Sequence, residues 1–415
     1  VSSKCWIDTF VDQVSQYTDA PEVVLRTSAY FTASAALKKN AYSRTFEDTY
    51  TNLFFLIVAP PERFRKSTAA KIGMKIARTS IPERHIMPQG GSDVAFDDAL
   101  SEAGGFGVAY YEEFAEFVNV SASDVGNQLN NKLIRYFNAD EGSYKHRTRK
   151  DGVVRLPEKT VLTFFSTCTD DSFVDFMSED KIKSGLFSRF VIISPTDEDL
   201  REEMEIQPEV PPMFYPKMKD SLRRLVPRER TKIGFTEEAQ KIYAAYHKGL
   251  REYCDRMSNP GFTRSVTRAH EILKRLSIIR AVTSGRLCVN EKDIHEAYDG
   301  IIDPYLGSVE HLLTLSDQGR PDQKLRAKLY HYLLKTPCTP RILARNFNER
   351  TESIHKELRE LINMGQVYSV TTGKMRVFHA LNGQENLTKE DVVRELKELD
   401  RYRAKQSRSY GHREQ

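Results

Sequence analysis

The sequence predicts an α/β domain built on a buried parallel sheet, then a helical region, then a small module of three helices and a hairpin. Three observations predict this. Short continuous apolar runs alternate with helical stretches up to about Pro195. A proline-rich segment, Pro208 to Pro216, interrupts that alternation. Beyond residue 320 the order becomes helix, helix, helix, hairpin.

Residues 1–48 read as a helical leader, with apolar spacing through Trp6, Phe10 and Val14 and again through Val24, Leu25, Ala29 and Phe31. The run Leu53 to Val58 is too short for a helix and reads as a strand covered on both faces, which implies a parallel sheet. Val108–Tyr111, Thr160–Ser166 and Phe190–Ile193 supply further strands. Ser67–Arg78, Ser92–Glu102 and Val125–Phe137 supply helices between them.

The core domain is therefore set at 49–207, with Pro208–Pro216 as a linker because proline continues neither a helix nor a central strand. Helices resume at Lys217 and fill 208–320 as a lid. Within 321–383 come a helix over Asp322–Lys335, a second from Pro340, a third over Thr351–Met364, and strands Val367–Val370 and Arg376–Ala380 around Thr372-Gly373-Lys374. That is the order of a winged helix. Residues 384–415 form a charged helical tail that frays.

A length of 415 residues suits two or three domains of roughly 150 each. With 40% hydrophobic and 29% charged residues the chain is expected to fold as an ordinary globular protein. The longest apolar run, Leu53 to Ala59, is far below the roughly 20 residues of a membrane span, and no signal-peptide pattern opens the chain. A cytoplasmic protein without membrane contact is expected. Because the chain opens on Val1, it is expected to be part of a longer protein. The five cysteines are scattered and never form C-x-x-C, so five free thiols are expected. A net charge of +4 is too balanced to imply polyanion binding, and any such activity must come from local clusters.

Four segments carry candidate chemistry. After the first strand comes Pro60-Pro61-Glu62-Arg63-Phe64-Arg65-Lys66-Ser67-Thr68, then a helix. Strand, loop, Lys-Ser, helix is the layout of a phosphate cradle: loop amides and the helix start hold phosphate oxygens, Lys66 neutralises them, and the Ser67 hydroxyl ligates Mg²⁺. Glycine usually stands where this chain has Pro60 and Arg65, so Arg65 must adopt a backbone conformation that glycine takes more readily. A basic helix cap after a buried strand is the plain alternative.

Glu112 and Glu113 emerge from the end of the second strand, where one carboxylate would order Mg²⁺ and the other would polarise an attacking water. A solvated turn is the alternative. Thr167 ends the third strand at the sheet edge where open α/β folds bind ligands, and is assigned to the γ-phosphate or the attacking water. Arg189 sits between a helix end and the fourth strand, placed to stabilise charge in a neighbouring subunit's site or simply to form a salt bridge.

Together and in this order, these segments resemble the AAA+ ATPases, a class of P-loop NTPases, and among them the mini-chromosome-maintenance-like replicative helicases. Gly107 to Phe117 (G-V-A-Y-Y-E-E-F-A-E-F) resembles that family's Walker B segment, with Glu112 where aspartate is usual. Ser188-Arg189-Phe190 resembles its arginine-finger motif, and Thr267 to Ser277 its second sensor, with Arg268 in the sensor position and Arg275 read as structural. An even nearer resemblance, which includes the Arg-Lys-Ser form of the phosphate loop, is to helicase-like ATPases of prophages and plasmids, often joined to primase modules. The resemblance covers roughly residues 20 to 315. It implies ATP and Mg²⁺ as cofactors, a homo-oligomeric ring, expected to be a hexamer, and a primase or other replication partner.

Between the second and third strands, Tyr144 to Pro157 holds Asp151-Gly152, a strong hairpin signal, with Lys145, Arg147, Arg149, Lys150 and Arg155 around it. In the helicases it resembles, a hairpin at this point grips DNA. Cations on a projecting ribbon suit sequence-independent phosphate contacts, although they also keep edge hairpins soluble. The expectation is an ATP-dependent DNA helicase or translocase of a mobile element. The competing readings are a DNA-binding loader or initiator that does not unwind, and a non-hydrolysing DNA-binding scaffold.

Overall fold

The computed structural model describes residues 4–380 apart from 45–47, 90–92, 122–125, 140–144, 148–152, 171, 174–184, 257–262, 264–265, 320–324, 327–328, 331, 334–335, 348, 364–366 and 373–374. The chain divides into two compact units, Val1–Ser316 and Asp317–Gln415.

The first unit opens with α1 (Trp6–Val14) and α2 (Glu22–Leu37), and both belong to its core. From Val24 onward α2 is buried almost all round, which weakens its one-sided apolar pattern. The helical leader expected over 1–48 stops at Leu37. Lys38 reverses the chain at φ 52, and Ala41–Arg44 (β1) then pairs antiparallel with Asp48–Tyr50 (β2) and parallel with Thr231–Lys232. No local signal announces this small sheet, because one of its strands lies nearly two hundred residues away in sequence.

The core continues through β3 (Phe54–Val58), α3 (Lys66–Ser80), α4 (Asp93–Glu102), β4 (Phe106–Tyr111), α5 (Phe114–Ser121) and α6 (Gly126–Asn138). It ends with the hairpin β5 (Lys145–Arg147) and β6 (Val153–Arg155), then β7 (Val161–Cys168) and β8 (Phe190–Ile193). Four strands form an all-parallel sheet in the order β4-β7-β3-β8, and Ile86 adds a parallel bridge to Val108. Every residue of the four strands is buried, as expected where helices cover both faces. On β7, Phe165 packs against Phe31 of α2, whereas Phe164 packs against Phe114 and Phe117 of α5. Alternation along one strand thus feeds two helical layers. Gly73 lets α3 approach α2: a Cβ there would sit 3.1 Å from the Thr32 hydroxyl, which itself donates to the Gly73 carbonyl.

The linker ends earlier than its prolines suggest. A helix starts at Phe214 and takes Pro216 into its first turn, where a missing N–H costs nothing. Helices Glu237–Arg256, Ala269–Thr283, Glu291–Ala297 and Asp303–Gly319 follow, and their buried side chains join the core around the sheet.

The second unit has its own core of Leu329, Leu333, Leu343, Ile354, Leu358, Leu361 and Phe378. Helices Pro340–Phe347 and Thr351–Asn363 precede an antiparallel hairpin of Val367–Thr372 and Met375–Ala380. The helix expected over Asp322–Lys335 lies partly, and the tail 384–415 wholly, outside the described residues. All five cysteines are free. Among the described residues no helix is long and apolar enough to cross a membrane.

Candidate functional site

The carboxyl end of β3 runs into a loop whose backbone is unusual for its residues. Glu62 (φ 64) and Arg65 (φ 48, ψ 28) both lie in the left-handed region without being glycine. Arg65 stands at the N-cap of α3, and Lys66 is the first helical residue. No side chain caps this helix and no acid occupies its first turn, so its free amides and positive dipole end suit an anion.

Lys66 is only 6% exposed, and its Nζ donates to the carbonyl oxygens of Ala59 at 2.7 Å and Pro60 at 3.4 Å. Burial lowers its pKa below the ordinary lysine value, although Glu113 and Asp170 favour the charged form. Ser67 is exposed and Thr68 half-buried on the first turn, with Pro61 and Glu62 exposed at the loop tip and Phe64 buried beneath it. The two loop arginines are tied outward. Arg63 pairs with Asp197 at 2.5 Å, and Arg65 pairs with Asp19 at 3.3 Å, whose carboxylate also accepts from Gln207 at 2.9 Å.

Glu112 and Glu113 are exposed in the bend between β4 and α5. The strand order puts β7 between β3 and β4, so Lys66, the two glutamates and Thr167 all lie at the carboxyl edge of adjacent parallel strands. Glu112 pairs with Lys71 of α3 at 3.0 Å. Thr167 is buried, and its hydroxyl donates to the Glu112 carbonyl oxygen, while the Ser166 hydroxyl donates to that of Tyr111 at 2.8 Å. These two bonds staple the end of β4 to β7. Thr167 therefore acts on the glutamate turn through the backbone. The adjacent Cys168 thiol is pushed up to about 12, first by burial and then by Glu113, so it stays protonated at neutral pH.

Asp170 joins this cluster and was missed by sequence reasoning, as was the Arg65 partner Asp19. A signal for Asp170 existed, because it lies two residues past a buried strand that ends at the ligand edge. None existed for Asp19, which meets Arg65 only through tertiary packing.

Arg189 and Arg268 lie elsewhere. Arg189 immediately precedes β8 and so stands at the amino edge of the sheet, about one strand length, roughly 15 Å, from the Lys66 edge. It is 6% exposed, donates to the Gly185 carbonyl at 2.6 Å and faces the Phe137 ring at 6.0 Å. Arg275 stacks over the same ring at 4.1 Å and donates to the Asn52 and Phe137 carbonyls at 2.8 and 2.9 Å. Its burial, at 1% exposure, fits the structural role read for this arginine. Glu271 then links Arg275 to Arg268, which pairs with it at 2.6 Å from the N-cap of the same helix, Ala269–Thr283. Lys66 and Arg189 thus stand at opposite edges of one sheet, and Arg268 connects to the amino edge only through Glu271 and Arg275.

The predicted hairpin forms, with Lys145 opposite Arg155 and Arg147 opposite Val153. Arg149 and Lys150 fall outside the described residues.

Chemically, the carboxyl edge combines a buried ammonium, an uncapped helix start, an exposed hydroxyl and two carboxylates, a donor set that fits a nucleoside triphosphate with Mg²⁺. Among the described residues no cluster of three or more His, Cys, Asp or Glu is placed to hold a metal. Mg²⁺ needs none, since one or two protein ligands suffice when phosphates supply others. No protein-family model matches this chain, and no curated protein matches it.

Proposed function

We propose that this chain is an Mg²⁺-dependent ATPase of the AAA+ class that works on DNA as one subunit of a ring. The observation that carries the reading is the gathering of Lys66, Ser67, Glu112, Glu113 and Thr167 at one sheet edge while Arg189 stands at the other. A complete site then needs two copies, the first giving the phosphate loop and the second Arg268 and Arg189, whose buried guanidinium would leave the Gly185 carbonyl to reach it.

In this reading Lys66 and the amides of α3 hold phosphate oxygens. Ser67 and Glu112 hold the metal, which supplies Lewis-acid stabilisation of phosphate charge. Glu113 orients water and accepts its proton, and Thr167 fixes the turn that carries both glutamates. Glu112 would leave Lys71 to do so, an exposed pair worth about 1 kcal/mol or less. Residues 208–320 serve as the lid, and the second unit's two helices and hairpin as a winged helix. The hairpin with Lys145, Arg147, Arg149, Lys150 and Arg155 grips the DNA backbone, and the activity is unwinding or translocation.

The test is DNA-stimulated ATP hydrolysis and fork unwinding in wild type, Lys66→Ala and Glu113→Gln. Turnover should fall by at least about a hundredfold in both variants, the scale on which catalytic bases act. Unaltered turnover in both removes the proposal. Hydrolysis without strand release turns it into a loader.

A further inference from the structure

A second charged site lies at the far end of α3. The helix spans 15 residues, so Ser80 stands about 21 Å from Lys66. There the ends of α2, α3 and the helix Phe214–Leu225 surround a cavity of about 720 Å³. Its lining includes Lys38, Lys219, Arg223, Arg224 and Arg228 against one carboxylate, Asp220. Among the described residues none of these five cations makes an ion pair.

Cations at helix C-termini ordinarily complement the helix dipole at an exposed surface. Two features exceed that role. Lys38 is half-buried, and burial together with nearby Arg84 lowers its pKa, so positive charge is crowded here at a cost. Its φ of 52 also holds a lysine in a conformation that favours glycine. The lining has no aromatic ring and little apolar surface beyond Ala36, Val226 and Pro227, so nothing there would stack on a base or a sugar.

We propose that this cavity binds successive phosphates of a nucleic-acid strand, through charge and without sequence preference. Among its lining residues Arg223 and Arg224 are exposed and would offer guanidiniums to the phosphates, with the half-buried Lys38 and Lys219 adding charge. The lining shares no residue with the hairpin Lys145–Arg155, and binding there needs no nucleotide hydrolysis.

The experiment is fluorescence anisotropy of a labelled oligothymidylate, without nucleotide, across a salt series. Proteins compared are wild type, Arg223→Glu with Arg224→Glu, Arg223→Lys with Arg224→Lys, and Lys145→Ala with Arg155→Ala. The charge-reversed variant should bind at least about tenfold more weakly, with its salt slope shallower by about 1.4, two contacts at about 0.7 each. The lysine variant should keep most of the affinity, which separates charge from folding. Unchanged affinity and slope on charge reversal overturns the proposal. So does strand binding lost only in the hairpin variant. Free tripolyphosphate, titrated by calorimetry, is the control for a small ligand. Its capture by wild type but not by the reversed variant, with strand binding unaltered, would also overturn the assignment. Because no step needs hydrolysis, an inactive ATPase site leaves this result readable.

Discussion

The ammonium of Lys66 donates to the carbonyl oxygen of Ala59 at 2.7 Å, so the cation at the head of α3 is folded back onto the end of the strand that precedes its loop. Burial lowers its pKa, and without a bound anion stability rises as pH increases through that depressed value.

Polyphosphate binding needs the charged form. Affinity for an ATP analogue should therefore be flat near neutrality and fall at a lower pH than an unperturbed lysine would give. Calorimetry across the alkaline range checks this. Binding should take up protons there, seen as a dependence on buffer ionisation heat, and Lys66→Met should bind weakly with no alkaline limb.

Arg65 adopts φ 48 where glycine would be at ease. Replacing it with glycine or alanine removes the pair with Asp19 in either case, so the difference isolates the backbone. Arg65→Gly should be more stable than Arg65→Ala by about 1 kcal/mol, the reverse of their order inside a helix. Urea unfolding of the two variants measures it, and equal midpoints would count against strain at this residue.

Arg275 and Arg268 separate structure from function. Arg275→Met abandons the Asn52 and Phe137 carbonyls and should cost about 3 kcal/mol. Arg268→Ala, whose side chain is 32% exposed, should cost less than about 1 kcal/mol. If the second copy supplies Arg268, mixing inactive Arg268→Ala with inactive Lys66→Ala should restore part of the ATPase activity. No recovery in a titration of one variant into the other would place both residues in one copy's site.

Asp8 accepts from Arg26 at 2.7 Å and from the buried Arg280 at 2.9 Å. Burial opposes ionisation of its carboxyl, but the two guanidiniums hold the pKa below 3.8. Its contribution is therefore complete above 3.8 and is lost as pH falls through the lower folded value. Asp8→Asn should cost about 2 kcal/mol at neutral pH and much less at strong acid. Denaturant midpoints at the two pH values check the sign.

The glutamate turn shows how sequence and fold divide the work. Tyr110-Tyr111-Glu112-Glu113 is readable as a buried strand ending in two solvated acids, since continuous apolar residues must lie in a core and adjacent charges must leave it. That Thr167 reaches the Glu112 carbonyl depends on β7 entering the sheet between β3 and β4, a pairing of segments more than fifty residues apart. Arg275 makes the same point from the other side. The resemblance reads it as structural, but only the fold shows how its charge is buried, because carbonyls from two distant segments satisfy it.

Local chemistry therefore determined the alternation of strands and helices, the loop that heads α3, the strained Arg65 and the hairpin. Each depends on neighbours within a few residues, through side-chain periodicity or backbone sterics. Only the tertiary structure decided the order of strands, the entry of α1 and α2 into the core, and the separation of Lys66 from Arg189 and Arg268. The physical reason is that strand pairing and burial are won through contacts between remote segments, and their free energies are set by the whole packed arrangement rather than by any stretch of chain.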